Sequence, residues 1–233
     1  MRAASSSTAH VARLRQGRWF SDLDDSFQHA LLAAARVRPL VDDERLFARG
    51  DAPDGLYAII DGAVRVTAVN EAGKELLLTR VEAPGWFGEI AVFDRHPRTH
   101  DCIADGDAVV LHIPLPALDG LLAAEPLRWR DLGLLVAAKL RLTFEILEDS
   151  AHLPLSLRLG RRLLVLAGGH GEWRDQHKRV VDVTQEQLAS MLSTSRQSVN
   201  QALKDLEQRG IVKVSYGHIE LLDSDALGAM IKT

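Results

Sequence analysis

In the segment FGEIAVFDRHPRTH, residues 87–100, side chains suited to an anionic, hydroxylated ligand sit close together: Gly88, Glu89, Arg98 and Thr99. A guanidinium neutralises an oxyanion while giving it two directional hydrogen bonds, and a neighbouring hydroxyl extends the cradle. Glycine at 88 lets backbone approach a ligand closely, and the carboxylate at 89 accepts a hydrogen bond from a ligand hydroxyl. The same residues allow a second arrangement, in which Arg98 and Glu89 neutralise each other and the site stays empty.

The other chemistry-bearing segment is VTQEQLASMLSTSRQSVNQALKDLE, residues 183–207. Thr184 followed at three residues by Gln187 has the form of a capping box, and Leu188, Ala189 and Leu192 give the first helix an inner face. Ser193 and Thr194 make a turn. Ser195 caps a second helix whose core positions are Val199, Leu203 and Leu206. Arg196, Gln197, Asn200 and Gln201 then point outward from the start of that helix. A merely solvated face would be rich in Glu and Lys, whereas Arg, Asn and Gln are the side chains that read base edges in a DNA major groove. Lys204 is placed to meet a phosphate.

Both segments need elements to hold them. Residues 1–18 read as a loose tail without the compact apolar run of a secretory signal. From Trp19 the spacing of Phe27, Leu31 and Ala34 predicts a helix, with Ser21 and Asp24 as candidate caps and Pro39 as its stop. Between positions 41 and 113, short apolar runs (LYAII, AVRVTAV, ELLLTRV, DAVVLHI) alternate with glycine-containing turns, the pattern of a compact antiparallel barrel or roll. Residues 69–74 are expected to turn a hairpin. Helical spacing resumes in LPALDGLLAAEP and again from Leu127 to about His152. In that longer helix Trp129, Gly133, Val136, Leu140, Thr143, Leu147 and Ser150 follow a heptad seam, and Leu135, Ala138, Leu142 and Ile146 form a second stripe. Two buried faces are expected, one on the roll and one on another surface; a single wide apolar face within one monomer is the competing reading. After Pro154 the order is helix, turn at Gly168 and Gly169, short strand near Val180 and Val183, two helices and a closing hairpin, IVKVSYGHIELL.

Composition narrows the function. The 233 residues suffice for two modest domains, and the formal net charge of −4 argues against indiscriminate nucleic-acid binding. The charge is uneven: from His152 onward there are 11 Lys and Arg against 9 Asp and Glu, and before it 17 against 23. The C-terminal third is the better partner for phosphates. Cys102 stands alone, which excludes an intrachain disulfide framework and a cysteine-held zinc or iron–sulfur site, and a small buried residue is expected there. His152, His170, His177 and His218 lack ligand spacing, so no metal site is expected. No apolar run reaches membrane-spanning length, so a cytoplasmic protein without membrane partners is expected.

Together the cassette of residues 87–100, the turn glycines Gly50, Gly62 and Gly88, the long helix and residues 183–207 resemble the CRP/FNR superfamily from Trp19 to about Leu222. The resemblance implies an α+β chain: an N-terminal antiparallel, jelly-roll-like cyclic-nucleotide-binding β-roll at residues 19–126, a dimerisation helix at 127–153 and a winged helix-turn-helix at 154–233. It places a cyclic phosphate on Arg98 and Thr99 with Gly88 beneath it, and a ribose 2′-hydroxyl on Glu89. Thr143 would contact the base across a homodimer built on Val136, Leu140, Thr143 and Leu147. Cyclic AMP is the expected effector. Phe144 replaces the serine and His100 the small residue usual in the family, which leaves cyclic GMP, cyclic di-GMP or no nucleotide open. No permanently bound cofactor is implied. Thr184 and Ser195 would touch DNA phosphates and Arg196 a guanine or phosphate, while Gln197 and Gln201 replace an acid and an arginine. The partners implied are double-stranded DNA and a second copy of the chain, with RNA polymerase a further candidate. Two alternatives stand beside this reading: a ligand-independent DNA-binding regulator, and the regulatory module of an enzyme. Nothing after Pro154 supplies a nucleophile with its base, a phosphate loop or a metal cluster for the second.

Overall fold

The computed structural model describes residues 10–69, 73, 75–169 and 179–231. A helical turn at residues 10–14 and two short helices, Arg18–Asp22 and Asp25–Ala34, precede the strands; Leu14 is fully buried with Phe20, Phe27 and Leu31, so from residue 10 onward the expected loose tail is instead packed on the roll. Asp24 caps the helix Asp25–Ala34 by accepting the Phe27 amide at 2.9 Å, as expected. Ser21 is no cap, for its hydroxyl donates back to the Arg18 carbonyl. The helix also ends earlier than Pro39. Strand β1, Arg36–Leu40, contains the proline and lies at the edge of its sheet, where a missing N–H costs no ladder bond.

The strands form two four-stranded antiparallel sheets, in orders β1-β8-β3-β6 and β2-β7-β4-β5. Their bounds are β2 Arg45–Phe47, β3 Gly55–Asp61, β4 Ala63–Val69, β5 Glu75–Glu82, β6 Trp86–Phe87, β7 Asp101–Ala104 and β8 Ala108–Pro114. Strand β3 is buried on both faces from Gly55 to Ile60, which is why it reads as a continuous apolar run instead of an alternation. One face meets Val64, Cys102, Ala104 and Val110 inside the roll, and the other meets Phe20, Phe27 and Leu31 of the N-terminal helices. The expected hairpin exists as the β4–β5 pairing, but its tip, residues 70–72 and 74, lies outside the described residues. His170 and His177 lie outside them too.

After the helix Leu115–Ala124 comes the long helix, Arg128–His152, which ends where Leu153 turns extended before Pro154. Leu132 and Leu135 bury against the roll. Trp129 belongs to that contact rather than to the heptad seam, since its ring packs edge-on against Phe93 at 5.1 Å. Ala138 is exposed, so the roll-facing stripe is displaced toward Leu132. Leu134, Leu140, Phe144 and Leu147 also stand exposed on this helix.

The C-terminal part consists of helix Leu155–Ala167, strand β9 Val180–Val181, helices Gln185–Met191 and Arg196–Gln208, and the hairpin β10 Val212–Ser215 with β11 His218–Leu221. A closing helix, Ser224–Ile231, completes it and was not anticipated from the sequence. Its Leu227 fits against Gly160, where a Cβ would stand 2.9 Å from Leu227 Cδ1. The core joins Leu159, Leu163, Leu188, Val199, Leu203, Ile219 and Leu227. Leu77 of β5 is buried in this same core, and its amide donates to Ser190 Oγ at 2.8 Å. The first helix of the helix-turn-helix thus docks on the roll.

Candidate effector cavity and DNA-reading helix

Gly88 precedes the cassette helix Glu89–Asp94 at φ 92°, a conformation that favours glycine, and a Cβ there would lie 2.8 Å from Arg98 Nη1. Arg98 is buried. Its Nη1 donates to the Gly88 carbonyl at 2.9 Å, and its Nη2 donates to the Gly55 carbonyl at 2.8 Å and to the Asp54 carboxylate. The guanidinium stands over the Phe47 ring, 4.4 Å from its centroid, while Nε has no hydrogen-bond partner among the described residues. Burial alone would raise the Asp54 pKa, but hydrogen bonds from Tyr57 and Arg98 and the arginine's charge outweigh it and hold it below the usual carboxylate value.

Arg98 and Glu89 do not neutralise each other. Glu89 is buried and paired with Lys139 of the long helix at 2.7 Å, and Lys139 Nζ also donates to the Trp86 carbonyl at 2.7 Å. Thr99 is exposed, with its hydroxyl 2.9 Å from His100 Nδ1. Burial, followed by the charge of Arg49, pushes the His100 pKa down. One helical turn after Lys139, the Thr143 hydroxyl donates to the Lys139 carbonyl at 2.8 Å. A cavity of about 590 Å³ gathers Gly88, Glu89, Arg98, Thr99, Lys139 and Thr143. Val136 and Leu140 line it as well, and its far wall is Met191 and Ser193 of the helix-turn-helix.

In that element Thr184 and Gln187 form the reciprocal capping box, with Oγ1 accepting the Gln187 amide at 3.1 Å and Oε1 the Thr184 amide at 2.9 Å. Gln187 Nε2 also reaches Asp105 of the roll at 3.2 Å. Ser193 turns the chain at φ 50°, and Ser195 caps the next helix by accepting the Ser198 amide at 3.0 Å. Val199, Ala202, Leu203 and Leu206 are buried. The opposite side presents Arg196, Gln197, Gln201 and Lys204 to solvent, with Asn200 half-buried beside them. Gln201 Nε2 donates to Asp205 at 3.1 Å, which fixes the orientation of its amide. The β10–β11 hairpin follows as a wing, with Tyr216 fully exposed at its tip.

Residues 37–125 match the cyclic nucleotide-binding domain family, and residues 157–230 match the Crp-like helix-turn-helix domain family. A CRP-like cAMP-activated global transcriptional regulator from Mycobacterium tuberculosis is 32% identical over 183 residues, spanning 78% of this chain and 82% of that one. The chain belongs to the CRP/FNR superfamily of transcription regulators. Among solved structures, FixK2 from Bradyrhizobium japonicum superposes with a TM-score of 0.74 at 17% identity, covering 84% of this chain and 96% of that one. A CRP/FNR-family regulator from Thermus thermophilus does so at 0.66 with 26% identity, covering 85% and 99%.

In this CRP/FNR regulator the structure brings Gly88, Glu89, Arg98, Thr99 and Thr143 around one cavity and adds residues that sequence reasoning missed. Lys139 could have been found, because it lies four residues before Thr143 and so on the same helix face. Asp54 and Phe47 gave no local signal; the fold brings Asp54 to Arg98 across 44 residues. Cys102 is buried, its thiol pushed up to about 12 by burial. Among the described residues no cluster of His, Cys, Asp and Glu could hold a metal, and no helix is long and apolar enough to cross a membrane.

Proposed function

We propose that this regulator binds an inverted-repeat DNA operator as a homodimer under control of a cyclic nucleotide, and that it performs no catalysis. The observation that carries the reading is the shared cavity: cassette residues Arg98 and Thr99, the long-helix residues Lys139 and Thr143, and Ser193 of the DNA-binding element all border it. A ligand there would touch the parts that bind effector, pair subunits and read DNA. Its phosphate would take Arg98 and Thr99, its ribose hydroxyl the Glu89 carboxylate, and its base the neighbourhood of Thr143. Cyclic AMP is the first mononucleotide to try, because the 32%-identical relative is named for it. Arg196, Gln197, Asn200 and Gln201 would meet base edges, and Thr184, Ser195 and Lys204 phosphates. The exposed Leu140 and Leu147, with Val136 and Thr143 on the same seam, would pair with their copies. Localisation in the cytoplasm, and RNA polymerase as a partner of the DNA-bound form, complete the reading.

A second reading, a ligand-independent regulator, is favoured by the engagement of Arg98 with Asp54, Gly55 and Gly88 in place of a ligand. Thermal unfolding with a panel of cyclic nucleotides separates the two, because a ligand that binds only the native state raises the melting temperature. The effector reading expects a rise with wild type that vanishes in Arg98→Ala. No rise with any nucleotide, or an equal rise in the variant, overturns it.

A further inference from the structure

Two cations line the cavity beside the cassette, and both are already paired among the described residues, Arg98 with Asp54 and Lys139 with Glu89. The Arg98 guanidinium also donates to the carbonyls of Gly55 and Gly88. An entering phosphate therefore meets two neutralised pairs. One more group on this wall can acquire a charge. His100 follows Thr99 directly, lines the same cavity, and holds its Nδ1 2.9 Å from the Thr99 hydroxyl.

The protonation of that ring decides what Thr99 can offer. A neutral imidazole in the Nε2–H tautomer accepts the hydroxyl proton at Nδ1, which turns the Thr99 donor away from a ligand. An imidazolium donates through both ring nitrogens. Thr99 Oγ1 then becomes the acceptor, its own proton is released for a phosphate oxygen, and a positive charge is added to this wall of the cavity. The groups around the ring are mixed in sign. Arg49, in the loop after β2, opposes a charge on His100, and Asp101 at the start of β7 favours one. The Asp101 carboxylate also accepts the Arg49 amide at 2.9 Å, which keeps the two together. The cavity wall is completed by Glu82 of β5, which pairs with Arg80, and by the Glu89–Lys139 pair. His112, the other imidazole near Arg98, faces Asp54 instead, its Nε2 3.1 Å from the Asp54 carbonyl oxygen.

We infer that His100 is a positioning residue of the phosphate site, neutral when the site is empty and protonated when a cyclic phosphate binds, so that it frees the Thr99 hydroxyl and adds a charge. This rests on the reading of Arg98 and Thr99 as the place of the phosphate. Burial and Arg49 hold the imidazole of the empty site below its ordinary pKa, so near neutral pH it carries no charge. A bound anion acts in the opposite sense and raises that value. Over the interval between the two values each ligand takes up a proton, and by linkage affinity rises as pH falls, by about tenfold for each unit that the pKa moves. Above the bound-state value the affinity levels off low, and below the free-state value it levels off high. Effector occupancy then answers to acidity as well as to effector concentration.

The test is isothermal titration of the full chain with cyclic AMP and cyclic GMP from about pH 8 to about pH 5, in paired buffers of different protonation heat. The proteins are wild type, His100→Asn, His112→Asn and Arg98→Ala. The phosphodiester of either nucleotide keeps its single charge throughout this range. Wild type is expected to bind at least one of them about tenfold more tightly at the acid end than at the alkaline end, with buffer-dependent heats that show proton uptake. In His100→Asn the affinity should change by less than about twofold over the same range, without proton uptake, whereas His112→Asn should keep the wild-type slope. A residue that only supported the fold would lower affinity equally at every pH, so a slope that survives in His100→Asn overturns the inference. A slope lost in His112→Asn does the same. A flat wild-type profile, with binding lost in Arg98→Ala, sinks the proton coupling alone. Wild type that binds neither nucleotide, or an Arg98→Ala that binds as wild type does, removes the cassette reading and the inference with it. Circular dichroism checks that each variant is folded; should His100→Asn not fold, His100→Gln takes its place with the same required loss of slope.

Discussion

At the scale of single residues, Asp54 decides how the cassette rests. Its carboxylate takes hydrogen bonds from Tyr57 and Arg98, so the group that would hold a ligand phosphate is held by the protein's own anion. Because the folded pKa of Asp54 lies below its ordinary value, its contribution to stability is complete above the ordinary carboxylate value. That contribution disappears as pH falls through the lower, folded value. Asp54→Asn keeps the shape and removes the charge, so its stability should depend less on pH on the acid side than wild type. Urea unfolding between neutral and acid pH measures this, and parallel curves for the two proteins would show that Asp54 is uncoupled. The same exchange bears on the effector: with Asp54 neutral, Arg98 has one competitor fewer for an incoming phosphate.

Among the elements, what was legible was local. Thr184 and Gln187 are three residues apart and announce their helix before any tertiary contact is considered, and Ser195 and Asp24 do the same for theirs. Thr184→Ala should therefore cost about 1 kcal/mol, as loss of an N-cap does. Denaturant unfolding reads that change, and a variant as stable as wild type would mean that the docked first helix no longer needs its cap. What the sequence hid was long-range. Glu89 finds Lys139 at a separation of 50 residues, and Pro39 reads as a helix stop until its strand proves to be an edge. Trp129 fits the heptad count, but spacing cannot tell a seam from the neighbouring face that packs on Phe93. Leu140 and Leu147 stand exposed, and in the proposed homodimer they would meet their copies. Leu140→Asp would bury an unpaired charge at the centre of that interface, so the variant should sediment as a monomer at concentrations where wild type is a dimer. A dimeric Leu140→Asp would remove the seam from the interface.

On the scale of the whole molecule, the first helix of the helix-turn-helix is committed to the roll through Ser190 and Gln187, while the second turns Arg196, Gln197, Gln201 and Lys204 outward. The DNA-reading role proposed for that outward face therefore does not require the dock to be undone. Two copies related by a two-fold axis would set two such helices about one turn of DNA apart, roughly 34 Å on straight B-form duplex. The operator should be an inverted repeat, and affinity should fall steeply with salt as phosphate contacts release counterions. Within each half-site Arg196 can give two bonds to guanine, whereas the amides of Gln197 and Gln201 pair with adenine, at about 1 to 3 kcal/mol for a wrong base. Gln201 is already oriented by Asp205, so Gln201→Arg exchanges a fixed donor and acceptor for a cation that keeps the same acid beside it. Selection from a random DNA pool should then recover an inverted repeat with wild type and the same repeat with one position moved toward guanine with Gln201→Arg. Lys204→Ala should instead weaken all selected sequences alike and reduce the slope of affinity against salt by about one counterion. A pool that yields no symmetric site, or identical sites from wild type and Gln201→Arg, would remove the helix Arg196–Gln208 from its role as the reader.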